Sequence, residues 1–178
     1  MLMNRKQKQF NEEVLPVLKT KFGYVNDLEA PRLDKIIITR GINHEEGRVS
    51  NVMEEMIEDI AIISGQKPIV KNAKKSIAAF KLREGMPNGI MVTLRRKRMY
   101  AFFDRFVSVA SPRIRDFQGF KIKSDGRGNF TIGIKDQRIF LEAENRAQKG
   151  LQITFNTTAK NEEEGKALLQ ELGFPVSK

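Results

Sequence analysis

The apolar residues of this chain come in short blocks whose period keeps changing, and that narrows the folds open to it. Lys35-Ile36-Ile37-Ile38-Thr39-Arg40 is a β-branched run of strand length closed by Gly41. After a polar loop, Val49, Val52, Met53, Met56, Ile57, Ile60 and Ile63 recur at three and four, with Glu54, Glu55, Glu58 and Asp59 on the other face. That is an amphipathic helix stopped by Gly65. Further strands are expected at 67–71, 90–94, 130–134 and 151–157. Helices are expected at 4–22, kinked or delayed by Pro16, and from Met99 through Phe102, Phe103, Phe106, Val107 and Ala110. A last helix starts at Asn161 as N-cap, with Glu162 and Glu163 in its first turn and Glu164 at the capping-box position. The elements alternate without βαβ spacing. The expectation is one α+β domain over residues 1–178, a mainly antiparallel sheet packed with three to four helices, carrying a projecting basic loop.

Several classes are excluded or disfavoured at once. There is no cysteine, hence no disulfide framework, thiolate metal site or cysteine nucleophile. His44 is the single histidine. It lies in a loop beside Glu45 and Glu46, where acid-base work in an RNA-processing enzyme is the rival reading and plain exposure the simpler one. No apolar block approaches the roughly 20 residues of a membrane span. Met1 to Phe10 is polar and basic, so no secretory signal is expected.

Charge is what singles the chain out. Its 178 residues carry a net +10, but the excess is local. Between Lys67 and Arg127, 61 residues hold 16 Lys and Arg against four acids, while the other 117 residues hold 16 against 18. A basic block in near-neutral sequence is the footprint of a polyanion partner. An anionic membrane surface would instead call for a basic amphipathic helix, and the clearest helix here has an acidic polar face.

Within the block, residues 80–89 hold Gly85, Pro87 and Gly89 and read as a projecting basic loop, the kind of segment where binding residues concentrate. The helix phenylalanines have core spacing, so they are assigned to packing rather than base stacking. Arg113 and Arg115 lie in an irregular cationic stretch and can hold phosphates through a planar fork. Asp125-Gly126-Arg127-Gly128-Asn129 lacks the Lys-Ser/Thr pair of a P-loop, so a glycine turn is favoured over a phosphate cradle. Without a helix-turn-helix, zinc-finger or basic-zipper pattern, RNA is favoured over DNA.

Six motifs occur in order: Ile63-Ser64-Gly65-Gln66-Lys67-Pro68, Ala73-Lys74-Lys75-Ser76, Val92-Thr93-Leu94-Arg95, Pro112-Arg113-Ile114-Arg115-Asp116-Phe117, Asp125-Gly126-Arg127-Gly128-Asn129 and Gly173-Phe174-Pro175. In content, order and spacing the chain resembles the bacterial-type L-five family of ribosomal proteins over nearly its whole length.

That resemblance implies a non-enzymatic constituent of the large ribosomal subunit, without cofactor, that binds 5S rRNA and 23S rRNA in the central protuberance. It implies 5S rRNA contacts at Gln66, Ser76, Thr93 and Arg95, and at Thr39, which replaces a family asparagine and cannot reproduce both amide functions. It implies that the loop over 75–89, with Lys74, Lys75, Phe80, Lys81 and Arg83, reaches the P-site tRNA elbow, and that the protein bridges to a small-subunit head protein of the S-thirteen family. Arg113, Arg115 and Arg127 are the remaining RNA candidates. Two departures are Asn72, where a basic residue is usual, and Phe140-Leu141-Glu142-Ala143, in place of Phe-Pro-Glu-Ile. Arg40-Gly41-Ile42 and Met99-Tyr100-Ala101-Phe102 resemble plastid members. The expected setting is thus a ribosome in a bacterial cytoplasm or a plastid stroma, the latter implying synthesis inside the organelle.

Overall fold

A computed structural model describes residues 4–42, 49–115 and 117–177. As expected, the fold is α+β with a mainly antiparallel sheet. The strands are β1 (Leu33–Gly41), β2 (Ile69–Asn72), β3 (Pro87–Arg95), β4 (Lys123–Ser124), β5 (Phe130–Ile134) and β6 (Leu151–Thr157), in the order β2-β3-β1-β6-β5-β4. Two compact units share these strands. One holds residues 37–93 and 133–153, the other 1–36, 94–132 and 154–178.

In the first unit, Ile38 on β1 and Ile90 and Val92 on β3 are buried with Met56, Ile60 and Ile63 of the helix α3 (Val49–Ser64). The side chains of Val49 and Val52, and the loop holding His44, Glu45 and Glu46, lie outside the described residues. Asp59 is a correction to the solvated acidic face, because it is only 3% exposed. The reason is helical geometry: residues 56, 59, 60 and 63 form one i, i+3, i+4, i+7 stripe, and Asp59 sits inside it. Its partner is Arg40, which follows Ile36 and Ile38 on the buried face of β1 and is 6% exposed.

Arg40 Nη1 donates to Asp59 Oδ2 at 3.2 Å, its Nε donates to the Gly150 carbonyl at 2.9 Å, and its Nη2 donates to Gln137 Oε1. Gln137, fully buried, donates from Nε2 to Asp59 Oδ2 at 2.9 Å and to the Ala147 carbonyl at 2.8 Å. Arg146 and Lys149 close the rim on Glu58 and Glu55, at 3.2 and 3.4 Å. Burial pushes the Arg40 guanidinium down from its usual range, against the pull of Asp59.

Pro87 and Gly89 belong to β3 rather than to the loop. Pro87 stands at the strand's first residue, where no ladder N–H is needed and the register with Asn72 shifts. Gly89 is required by contact: a Cβ there would lie 2.7 Å from the Arg40 carbonyl oxygen.

The second unit is built on phenylalanine. Phe103, Phe106, Phe120, Phe155 and Phe174 form a linked set of ring contacts with centroids 5.1 to 6.3 Å apart. The helix phenylalanines are therefore core, as their spacing indicates. The N-terminal segment runs as α1 (Arg5–Gln9), a π-helical stretch (Phe10–Val14) and α2 (Leu15–Phe22). The helix α4 (Arg96–Arg105) likewise passes into a π-helical stretch, Phe106–Ala110. Each widened turn ends two residues before a proline, Pro16 or Pro112. The Leu15 N–H donates to Phe10 and the Ser111 N–H to Phe106, so the chain absorbs the missing proline N–H without breaking the helix. Phe10, Val14 and Leu18 are buried, whereas Val17 is exposed.

The last helix, α5 (Glu162–Glu171), departs from the capping-box expectation. Asn161 makes no side-chain cap bond, and Glu164 accepts from the Lys160 N–H at 2.9 Å. At its other end Gly173 (φ 85) donates to Gln170 O and Phe174 to Leu169 O, a Schellman pair. Buried Lys6 adds its Nζ to Leu172 O at 2.7 Å, a cation at the negative end of the helix.

Removing one partner of a buried charge pair strands the other, at a cost of about 3–5 kcal/mol, whereas an exposed pair contributes under about 1 kcal/mol. Urea unfolding of Asp59→Ala should therefore show a loss several times that of Glu58→Ala. Equal losses would contradict a structural role for the Arg40–Asp59 pair.

Candidate nucleic-acid interface

Alternation along the strands sorts the candidate residues by face. On β1, Ile36, Ile38 and Arg40 are buried while Lys35, Ile37 and Thr39 are half-exposed on the opposite face. On β3, Ile90, Val92 and Leu94 point into the core, which leaves Met91, Thr93 and Arg95 outward. β1 and β3 are sheet neighbours, so Thr39 and Thr93 share the open face of the first unit.

Gln66 joins them through the end of α3. The Ser64 hydroxyl donates to Ile60 O at 2.6 Å and accepts from the Gln66 N–H at 3.2 Å, which holds the turn. Gln66 Nε2 then reaches the Thr93 carbonyl at 3.3 Å. Ser76 is not part of this group. Its Oγ accepts from the Glu84 N–H at 2.9 Å, inside the loop.

That loop is a hairpin. Ala73 donates to Met86 O and Gly85 to Ala73 O, and Ile77 and Leu82 exchange backbone bonds of 2.8 and 3.1 Å across an isolated bridge. Ala73 and Leu82 are buried at its base and middle. Lys74, Lys75, Phe80, Lys81 and Arg83 are all exposed.

In the second unit, Arg95 is exposed at the end of β3, and α4 begins at Arg96 with φ 52 and no acid in its first turn. Arg96 and Lys97 are not among the residues singled out from the sequence. The basic run and the missing N-terminal acid are the signals that could have found them, since cations are unfavourable at the positive end of a helix unless an anion meets them. Arg113 is half-buried in a 3₁₀ turn (Ser111–Arg113), while Arg115 and Arg127 are exposed.

The 125–129 segment is a turn in which the Asp125, Gly126, Arg127 and Asn129 amides are already engaged. Asp125 Oδ1 accepts from the Arg127 and Asn129 N–H groups at 2.8 and 3.1 Å, and its Oδ2 accepts from Asn129 Nδ2 at 2.6 Å. Asn129 Oδ1 in turn accepts from the Thr157 N–H at 3.0 Å. The Asp125 carboxylate fills the anion position of the turn, and the exposed Arg127 side chain is left to meet a phosphate. Hydrogen bonds from the Asn129 side chain and the Arg127 amide hold the Asp125 carboxyl below its usual 3.8.

Electrostatically, the two halves of the charge inventory behave differently. The ion pairs Arg5–Asp104, Lys8–Glu12, Lys19–Asp27, Lys35–Asp34, Arg40–Asp59, Arg138–Asp136, Arg146–Glu58 and Lys149–Glu55 all draw their cation from outside residues 67–127. Apart from Arg98, Arg105 and Arg113, none of the 16 cations inside that block is in an ion pair among the described residues. Among those residues there is also no cluster of three metal-ligating side chains, and no helix long and apolar enough to cross a membrane. The arrangement is that of a polyanion-binding protein.

Comparison with known proteins gives the family. Residues 26–83 match the model described as ribosomal protein L5, and residues 87–176 match the model for the C-terminus of the same ribosomal family. The chain is 50% identical to the large ribosomal subunit protein uL5 of Nostoc punctiforme, covering 98% of each chain. It is 49% identical to those of Alkalilimnicola ehrlichii and Clostridium botulinum, covering 99% of this chain and all of theirs. The chain belongs to the L5 family of ribosomal proteins, which is structural and not enzymatic.

Because the folded Asp125 value is depressed, its contribution to the turn is present above the unfolded carboxylate range and is lost as pH falls through the folded value. Amide resonances of Arg127 and Asn129 should therefore titrate together below pH 3.8. Titration of both at or above that pH would contradict that contribution.

Proposed function

We propose that the chain is a constituent of the large ribosomal subunit that binds 5S rRNA through its open sheet face, contacts 23S rRNA, and offers its hairpin to P-site tRNA. The observation that carries the proposal is the sorting of charge. Outside the basic block eight cations are held by acids of the same chain, whereas inside it, Arg98, Arg105 and Arg113 apart, the cations make no ion pair among the described residues and are open to an outside anion. RNA supplies that anion at regular spacing, and each phosphate neutralised steepens the salt dependence of binding by roughly 0.7–0.9 log units.

Gln66, Thr93 and Thr39 suit readout of sugar and base edges, because hydroxyl and amide groups donate and accept where lysine only donates. Arg95, exposed in the second unit, adds a charge for RNA. Ser76 positions the hairpin through Glu84 and keeps its own hydroxyl hydrogen for RNA. Lys74, Lys75, Lys81 and Arg83 hold phosphates of tRNA and rRNA, and Arg113, Arg115 and Arg127 add contacts of the same kind. In this reading both units serve one ribosomal domain, and the protein also meets the small-subunit head protein of the S-thirteen family. The setting is a bacterial or plastid ribosome.

The test is titration of the full chain with 5S rRNA and with an unrelated RNA of equal length at moderate salt. A preference for 5S rRNA is expected, and its absence would end the proposal. Thr93→Ala and Gln66→Ala should each weaken the 5S complex about fivefold to tenfold, the ~1 kcal/mol of a hydrogen bond. Lys81→Ala and Arg83→Ala should leave that complex within about twofold and lower retention of P-site tRNA on ribosomes. Equal loss of 5S binding in all four variants would argue against two surfaces.

A further inference from the structure

Between Ile77 and Leu82 four residues turn the hairpin back. Ala78–Phe80 form one 3₁₀ turn, and Lys81 closes it in the left-handed region at φ 50. Glycine or asparagine is usual at such a position, since a Cβ there costs about 1–2 kcal/mol. Here a lysine holds it, next to Phe80.

Phe80 is 69% exposed. The other eleven phenylalanines, all among the described residues, are buried or half-buried. The Phe80 ring makes no ring contact among those residues, and Ile77, at 43% exposure, extends the apolar tip. Lys74, Lys75, Lys81 and Arg83 surround this tip in sequence, exposed and in no ion pair among the described residues.

Charge complementarity names the occupant. Four unmatched cations select a polyanion, and on a polyanion a flat apolar ring finds a matching face only where a nucleobase is unpaired and unstacked. A continuous duplex buries those faces. We infer that Phe80 stacks on an unpaired nucleobase of the RNA met by the hairpin, with Lys81 held beside it for the adjoining phosphate. The inference rests on the hairpin being an RNA contact and adds to it a stacking anchor that does not depend on salt.

The chain contains no tryptophan, so Phe80→Trp places a single fluorophore at the tip. The full-length Phe80→Trp chain, bound to 5S rRNA, is titrated with deacylated tRNA and with a blunt RNA duplex carrying the same number of phosphates. Quenching by tRNA and none by the duplex is expected. In parallel, Phe80→Ala and Phe80→Leu should each weaken tRNA binding about tenfold at every salt concentration, while Phe80→Trp stays within about twofold of the unmodified chain.

Equal quenching by the duplex would overturn the inference, as would Phe80→Leu binding like phenylalanine. So would a fluorescence change that requires a small-subunit protein instead of RNA. If the unmodified chain forms the 5S complex and the tryptophan stays unquenched by tRNA, stacking alone fails. If no 5S complex forms, the underlying RNA reading fails and the inference falls with it.

Discussion

The first unit depends on one buried ion pair. Arg40 and Asp59 leave water together, and the desolvation of two such ions is not fully repaid by their attraction unless the remaining donors and acceptors are also met. Gln137 and the Gly150 carbonyl meet them. The network adds little net stability over an apolar core of the same volume, but it admits only one alignment of β1, α3 and the 137–150 segment. Because α3 is fixed in this way, its last turn delivers Ser64 and Gln66 to β3, where Gln66 reaches the Thr93 carbonyl. The polar group on the open sheet face thus inherits its geometry from a charge pair on the buried one.

The same matching of partners governs the surface. Acids outside the basic block hold basic residues such as Arg40, Arg138, Arg146 and Lys149, so scaffold charge is largely cancelled within the chain. The basic block keeps most of its cations exposed and unmatched. Aromatic residues follow the reverse rule, with eleven phenylalanines kept from full exposure and Phe80 put out on a hairpin. These two sortings together are what the proposed RNA contact uses, because phosphate needs unmatched cations and a base needs an exposed ring.

Much of this is legible in the sequence. The strand and helix periods yield the α+β class, the core role of Phe102, Phe103 and Phe106, and the limits of α3. Asp59 escapes such a reading because its charge outweighs its place in the 56, 59, 60, 63 stripe, and Arg40 continues the period of Ile36 and Ile38 under a charge that argues for exposure. Pro87 and Gly89 carry turn chemistry but serve a strand, since the close approach of Arg40 that demands Gly89 is a tertiary fact. The π-helical answer to Pro16 and Pro112 also follows from packing rather than propensity. As for the site, the basic stretch is visible from composition, whereas Gln66 and Thr93 stand out only through family resemblance. Nothing in their local chemistry separates them from ordinary strand-end hydrogen bonding.

The central claim is that the unmatched cations and the polar sheet face are built for the large ribosomal subunit. Sedimentation of the labelled chain with purified large subunits lacking their own member of this family tests it most directly. The account predicts one chain per subunit, retained through the gradient at moderate salt and released as salt rises. Absence of the chain from the subunit peak, or loading that grows without saturating near one, would contradict it.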